Sequence, residues 1–249
     1  MEYYRRKLEL RLLAARSAIH LGAGGRDPAT LVSADLKEVR IYGLDPSFSS
    51  LSRNPNPLRI VARGHVVPLP SESVDLIFSE NVMEHVENPL ATLEEAFRLL
   101  RPGGLILWVA PSLWSYSGLA THCTPLPFHR LVNRLLESVT PRRASRDVFP
   151  TYFRINSPSR VRRLVRLAGL NLIELSTFAD APHYTQFLPL IHQLAVLWHV
   201  VLDRFEFLAP LRLVTLVEAR KPVLSPAPTS KVSCAPSLAP QASQPADTA

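Results

Sequence analysis

Cysteine is nearly missing. Cys123 and Cys234 are the two in 249 residues, and they lie far apart in unlike surroundings. That excludes a disulfide framework and leads us to expect a reducing, cytoplasmic setting. No uninterrupted apolar run of about 18 residues occurs, the length a spanning helix needs. The nearest stretch, FLPLIHQLAVLWHVVL (187–202), is broken by His192, Gln193 and His199. The N-terminal MEYYRRKLELRLLAARSA is basic, with no continuous apolar core and no cleavage site, so no secretion signal is expected. Metal-ligand spacing is missing too: His122 and Cys123 have no partners at a recognisable interval, and no metal is expected. There is no internal repeat and no basic motif interleaved with aromatics, so nucleic acid is not an expected partner.

What the chain has is 47% hydrophobic residues over 249 positions, enough for one domain with a substantial core. Its net charge of +7 is local. Ten arginines between 130 and 166 face only Glu137 and Asp147, which makes that segment more positive than the whole chain. A solvated basic surface accounts for this, and so does an anionic partner such as a phosphorylated substrate or an acidic membrane.

The order of elements is legible. SAIHLGA (17–23), EVRIYGLDP (38–46), LRIVARG (58–64), VDLIFSENV (74–82) and GLILWVAPS (104–112) read as strands, the fourth apolar enough to be covered on both faces. NPLATLEEAFRLLRPGG predicts a helix capped by Asn88, opened by Pro89 and stopped by Gly103, with apolar residues three and four apart. SPSRVRRLVRLAGL predicts a second helix, with Ser157 as cap and Gly169 as stop. NLIELS (171–176) and LRLVTLVEARK (211–221) are late strands, with an apolar helix at 187–208 between them. Strand, crossover and strand in series imply a parallel α/β sheet with helices on both faces. Residues 1–16 are expected to form a basic helix, and 113–156 and 178–208 to form inserts. The Pro-, Ala- and Ser-rich 222–249 is expected to be a disordered tail.

In such a sheet, ligands bind beyond the carboxyl ends of the strands. Gly22, Gly24 and Gly25 there allow a tight turn close to a ligand. Asp45, ending the second strand, can accept hydrogen bonds from both hydroxyls of a ribose. Gly64-His65 and Ser79 to His85 end the next two strands.

The series HVVPLPSESVDLIFSENVMEHVENPLATLEEAFRLLRPGGLILWVAPS resembles the core of the class I S-adenosylmethionine-dependent methyltransferases, in the branch called methyltransferase type 11. The likeness runs from about 17 to 112 and returns loosely at the late strands. It implies a Rossmann-like sheet of seven mostly parallel strands, the last antiparallel. It implies S-adenosyl-L-methionine as cofactor. Gly22, Ala23 and Gly24 would meet its methionine part, Asp45 and Pro46 its ribose, and His65 and Val66 its adenine. Ser79, Glu80 and Asn81 would lie beneath the sulfonium. Two departures stand out: many relatives carry acids where this chain has His20 and His65. The second and third helices look truncated, with RDPATLVSADLK and PSFSSLSRNPNP in their places.

His85 is the candidate base toward an acceptor, since imidazole titrates near neutrality. Glu84-His85 can equally just fix the loop entering the next helix. Trp114, Tyr116, Tyr152 and Arg154 are candidate acceptor contacts in the insert. The resemblance leads us to expect methyl transfer to a small-molecule, glycan or lipid-linked acceptor, with oxygen as the expected atom. The alternative is a non-catalytic cofactor-binding or scaffold protein of the same fold. The apolar 187–208 stretch is open to three readings: packing on the sheet, a homodimer contact, or peripheral attachment at the inner membrane.

Overall fold

The computed structural model describes residues 1–112, 150–178, 189–205, 208, 211–212 and 214–223. Seven strands form one sheet: β1 (Ser17–Leu21), β2 (Arg40–Asp45), β3 (Arg59–Val61), β4 (Val74–Glu80), β5 (Leu100–Pro111), β6 (Asn171–Phe178) and β7 (Val214–Arg220). Their order is β3-β2-β1-β4-β5-β7-β6. The first five pair in parallel, and β7 runs antiparallel to both β5 and β6. The Rossmann-like architecture expected from the sequence, with its antiparallel last strand, is therefore present.

Alternation along β4 explains how one apolar strand serves two layers. Leu76 and Phe78 face α1 (Glu2–Leu13), where Tyr4, Leu8 and Leu12 recur every four residues as a buried stripe. Ile77 points the other way, into a cluster with Leu93, Ala96 and Leu99 of α3 (Pro89–Leu99) and with Val161 and Val165 of α4 (Pro158–Leu167). The basic helix expected at the N-terminus is thus a structural layer. Its Lys7 and Arg11 pair with Glu218, a fully buried carboxylate on β7.

The crossovers beside β2 are short, as the sequence suggested. One holds a 3-10 turn (Pro28–Thr30), the other the single-turn α2 (Phe48–Leu51). Asn88 caps α3 by accepting from the Ala91 N–H at 3.2 Å. The expected end of α3 is corrected: the helix stops at Leu99, and Arg101 to Gly104 belong to β5. Gly103 does take a left-handed φ of +83°, but its N–H bonds the Lys221 carbonyl, so it shapes the strand edge and does not cap the helix. Ser157 does sit at the N-cap of α4, where its carbonyl accepts the Val161 N–H at 3.0 Å, but its hydroxyl makes no capping bond. Gly169, at φ +78°, does stop α4.

The apolar stretch forms α5 (Pro189–Arg204), which exposes Leu194, Leu197, Trp198 and Val200 while Leu202 is buried. No described helix is long and apolar enough to cross a membrane.

Candidate functional site

Four loops leave the carboxyl edge of the sheet side by side, and backbone chemistry ties them together. The glycine turn after β1 is anchored on β2: the N–H groups of Gly22 and Ala23 both donate to the Leu44 carbonyl, at 2.8 and 3.0 Å. Gly22 has φ +69°, and a Cβ there would lie 2.4 Å from a methyl of Val82. Glycine is therefore required twice, by backbone conformation and by the close approach of the loop after β4.

Asp45 joins the glycine turn to the start of α2. One carboxylate oxygen accepts the Gly24 N–H at 2.9 Å and the other accepts the Ser47 N–H at 2.8 Å. A carboxylate offers about four acceptor positions, so each oxygen keeps one for a ribose hydroxyl. Asn54 backs the turn, giving its amide hydrogens to the carbonyls of Gly24 and Arg26. Pro46 is exposed beside Asp45, and His65 and Val66 are exposed on the turn that follows β3.

Of the residues expected at the cofactor, Ala23, Asp45, Ser79 and Glu80 are buried. Ala23 is 1% exposed, so only its backbone can meet a ligand. Ser79 is paired with Trp108 in the sheet, and its carbonyl accepts from the buried Tyr4 hydroxyl. Asn81 is exposed with φ +52°, a conformation that asparagine tolerates better than most residues. Glu80 is buried; one oxygen takes the Arg26 guanidinium at 2.5 Å and the other has no hydrogen-bond partner. Burial raises its pKa and Arg26 opposes the rise.

His20, the departure noted in the sequence, stacks on Phe78 with ring centroids 4.7 Å apart. Burial pushes its pKa down to about 3, so it is a neutral ring at ordinary pH.

The acceptor side assembles around the short turn Met83–His85. The Glu84 carbonyl accepts the N–H groups of Tyr152 and Phe153, at 2.7 and 3.1 Å. Arg154 donates to the Glu87 carbonyl at 2.5 Å and lies over the Tyr152 ring. His85 Nδ1 lies 2.8 Å from the Pro150 carbonyl. Because a carbonyl only accepts, Nδ1 carries the proton in the neutral ring, and Nε2 lies 3.8 Å from a carboxyl oxygen of Glu84. Burial holds His85 below its ordinary pKa, which favours that neutral form.

The structure thus brings His85, Tyr152 and Arg154 together. Trp114 and Tyr116 lie outside the described residues.

Sequence reading alone missed three features here. Glu84 is buried, its carboxyl pushed up to about 8 by desolvation and one oxygen unpartnered. Phe153 is buried at φ +50°, a strained conformation for a bulky residue, where the 150–156 segment docks on the turn. Arg26 reaches Glu80 across the glycine turn. Arg26 and Glu84 are both visible in the sequence as charges, but the ion pair of Arg26 and the burial of Glu84 are not.

A shallow cavity of about 410 Å³, lined by Arg162, Arg166 and Asn171 among others, lies at the amino end of β6. That is the opposite edge of the sheet. Among the described residues no group of three His, Cys, Asp or Glu is placed to hold a metal.

The left-handed glycines, the spare acceptor positions of Asp45 and the unpartnered oxygen of Glu80 suit a ligand bearing a ribose and a cationic end. S-adenosylmethionine is such a ligand. Residues 19–108 match the family described as methyltransferase domain, type 11.

One relative, from Mycolicibacterium smegmatis, is named "Probable S-adenosylmethionine-dependent methyltransferase". It is 34% identical over 121 residues, covering 47% of this chain and 46% of the relative. Malonyl-[acyl-carrier protein] O-methyltransferase of Dechloromonas aromatica is 29% identical over 149 residues, covering 59% of this chain and 49% of that protein. The chain thus spans about half the length of these curated relatives. Among solved structures, an S-adenosylmethionine-dependent methyltransferase from Archaeoglobus fulgidus shares the fold. Its TM-score is 0.54 at 11% identity, covering 88% of this chain and 94% of that one. Residues 19–108 are thus similar in sequence to the methyltransferase-domain family, and the chain shares its fold with a solved S-adenosylmethionine-dependent methyltransferase.

Proposed function

We propose that this chain transfers a methyl group from S-adenosylmethionine to an oxygen of a small-molecule, glycan or lipid-linked acceptor. The observation that carries this reading is the pinning of residues 150–154 onto the Met83–His85 turn. It sets a base candidate and two acceptor-side residues beside the loop that packs on the glycine turn.

The cofactor, when bound, supplies an electrophilic methyl on positively charged sulfur. The protein must then align an acceptor, exclude water and, for a hydroxyl, remove a proton. Gly22, Gly24 and Asp45 hold the cofactor. His85 Nε2 takes the proton, with Nδ1 locked on Pro150. Tyr152 and Arg154 orient the acceptor, and the Arg154 cation suits an anionic group on it. Oxygen is favoured because His85 is a candidate base and because the Dechloromonas relative is named for O-methylation.

A lipid-linked acceptor draws support from α5. Its exposed Leu194, Leu197, Trp198 and Val200 follow β6, whose carboxyl end lies on the ligand edge of the sheet. On that reading the protein works peripherally at the inner membrane.

Calorimetry with S-adenosylmethionine and S-adenosylhomocysteine, on wild type and Asp45→Ala, tests the cofactor. Binding to wild type and loss in the variant are expected, and no binding to wild type ends the proposal. Turnover across an acceptor panel follows. His85→Gln should lower kcat by about 10²- to 10⁴-fold with S-adenosylhomocysteine affinity unchanged. Binding without turnover on any acceptor would favour the non-catalytic alternative. Flotation with anionic vesicles, lost in a Leu197→Ser, Trp198→Ser variant, tests the membrane setting.

A further inference from the structure

The helix α4 reads PSRVRRLVRL, and between Asp147 and Glu174 the chain has no acidic residue. Val161 and Val165 bury its inner face, so Arg160, Arg162, Arg163 and Arg166 all stand exposed on the outer one. Arg162 and Arg166 are one turn apart, the spacing at which like charges on a helix repel. Among the described residues neither makes an ion pair or a hydrogen bond. The last carbonyls of the helix are already taken: those of Leu164, Val165 and Arg166 accept from Ala168, Leu170 and Gly169, each at 3.0 Å. The two guanidiniums and Asn171, the first residue of β6, line the cavity of about 410 Å³ at the amino edge of the sheet. Its remaining lining is apolar, from Val165, Leu170 and Leu172, and neither Arg160 nor Arg163 contributes to it.

We propose that this cavity binds a phosphate group, carried either by a soluble phosphorylated molecule or by a lipid headgroup. A guanidinium presents paired N–H donors that match two phosphate oxygens, and the cavity offers two of them with the Asn171 amide as a further donor. One multiply charged anion between Arg162 and Arg166 replaces their mutual repulsion with two attractions. No acid lines the cavity to compete for them. The apolar lining suits the organic part of a phosphate ester. The +7 charge of the chain thus acquires a focus at one pair of arginines. Because the cavity lies on the opposite edge of the sheet from the Met83–His85 turn, its ligand is not the methyl acceptor, and the site does not depend on the methyl-transfer reading.

Two probes test the site and tell its sources apart: calorimetry with pyrophosphate at physiological salt, and flotation with phosphatidylcholine vesicles with and without phosphatidic acid. Two double variants carry the same change in charge. One is Arg162→Gln with Arg166→Gln, inside the cavity; the other is Arg160→Gln with Arg163→Gln, outside it. The first should weaken the bound probe by roughly tenfold to a hundredfold, the size of a charge-assisted hydrogen bond. The second should leave it near wild type. All four side chains are exposed, so both variants should fold, and far-UV circular dichroism checks that they do. Pyrophosphate binding with this pattern assigns a soluble phosphorylated ligand. Flotation that requires phosphatidic acid, with the same pattern and no pyrophosphate binding, assigns a headgroup. No binding of either probe to wild type, equal losses in the two variants, or no loss in the first would overturn the site.

Discussion

Replacing Glu84 with Gln isolates the titration of one buried acid. In the folded protein Glu84 ionises near pH 8, against 4.5 in a flexible chain, because burial penalises its charged form. Below pH 4.5 both states hold the proton and the group is neutral in the balance. As pH rises from 4.5 toward 8 the unfolded chain ionises and the folded one does not, so stability falls. At pH 7 the gap amounts to about 3 kcal/mol, from 1.36 kcal/mol for each pH unit of separation. Gln has nearly the shape of the protonated acid and no proton to lose. The variant should therefore match wild type at pH 4.5 and exceed it by about 3 kcal/mol at pH 7. Urea unfolding at pH 4.5, 6, 7 and 8, followed by tryptophan fluorescence and far-UV circular dichroism, reads the difference directly. Superimposable pH profiles for the two proteins would refute the reasoning, since they would mean that Glu84 is ionised and paired in the fold.

His20 sets the opposite limb. Its folded pKa of about 3 lies below the ordinary 6.5, so its contribution is complete above pH 6.5 and is lost as pH falls toward 3. His20→Leu should flatten that acid limb, by about 3 kcal/mol at pH 4 in the same unfolding experiment. Gly22→Ala combines a left-handed φ with a 2.4 Å approach to Val82. It should cost roughly 2–5 kcal/mol in denaturant stability and weaken S-adenosylhomocysteine binding through displacement of the Val82 loop. Asp45→Asn turns one acceptor into a donor facing a backbone N–H, of either Gly24 or Ser47. Roughly 1–3 kcal/mol of stability should be lost, with a lower melting temperature as the check.

The amino-acid pattern by itself determined the layered sheet. VDLIFSENV carries apolar residues on consecutive positions at its centre, as a strand covered on both faces does. The glycine turn and the acid ending β2 were equally legible, because turn conformation and strand ends are set by neighbours in the chain. Boundaries were less so. LRPGG reads as a helix end, yet Leu100 is pulled into β5 by its pairing with Val74 on β4, a contact made across more than twenty residues.

Charges were the least legible of all. His85, Glu80 and His20 stand out in the sequence as candidates, but neither their surroundings nor those of Glu84 and Arg26 can be read there. Only the tertiary structure makes Glu84 a buried acid, locks His85 on Pro150, and sets Glu80 against Arg26. The physical reason is that desolvation and ion pairing depend on what surrounds an atom in space. Local backbone preference and hydrophobic periodicity are written along the chain, whereas the polarity around a side chain exists only after packing.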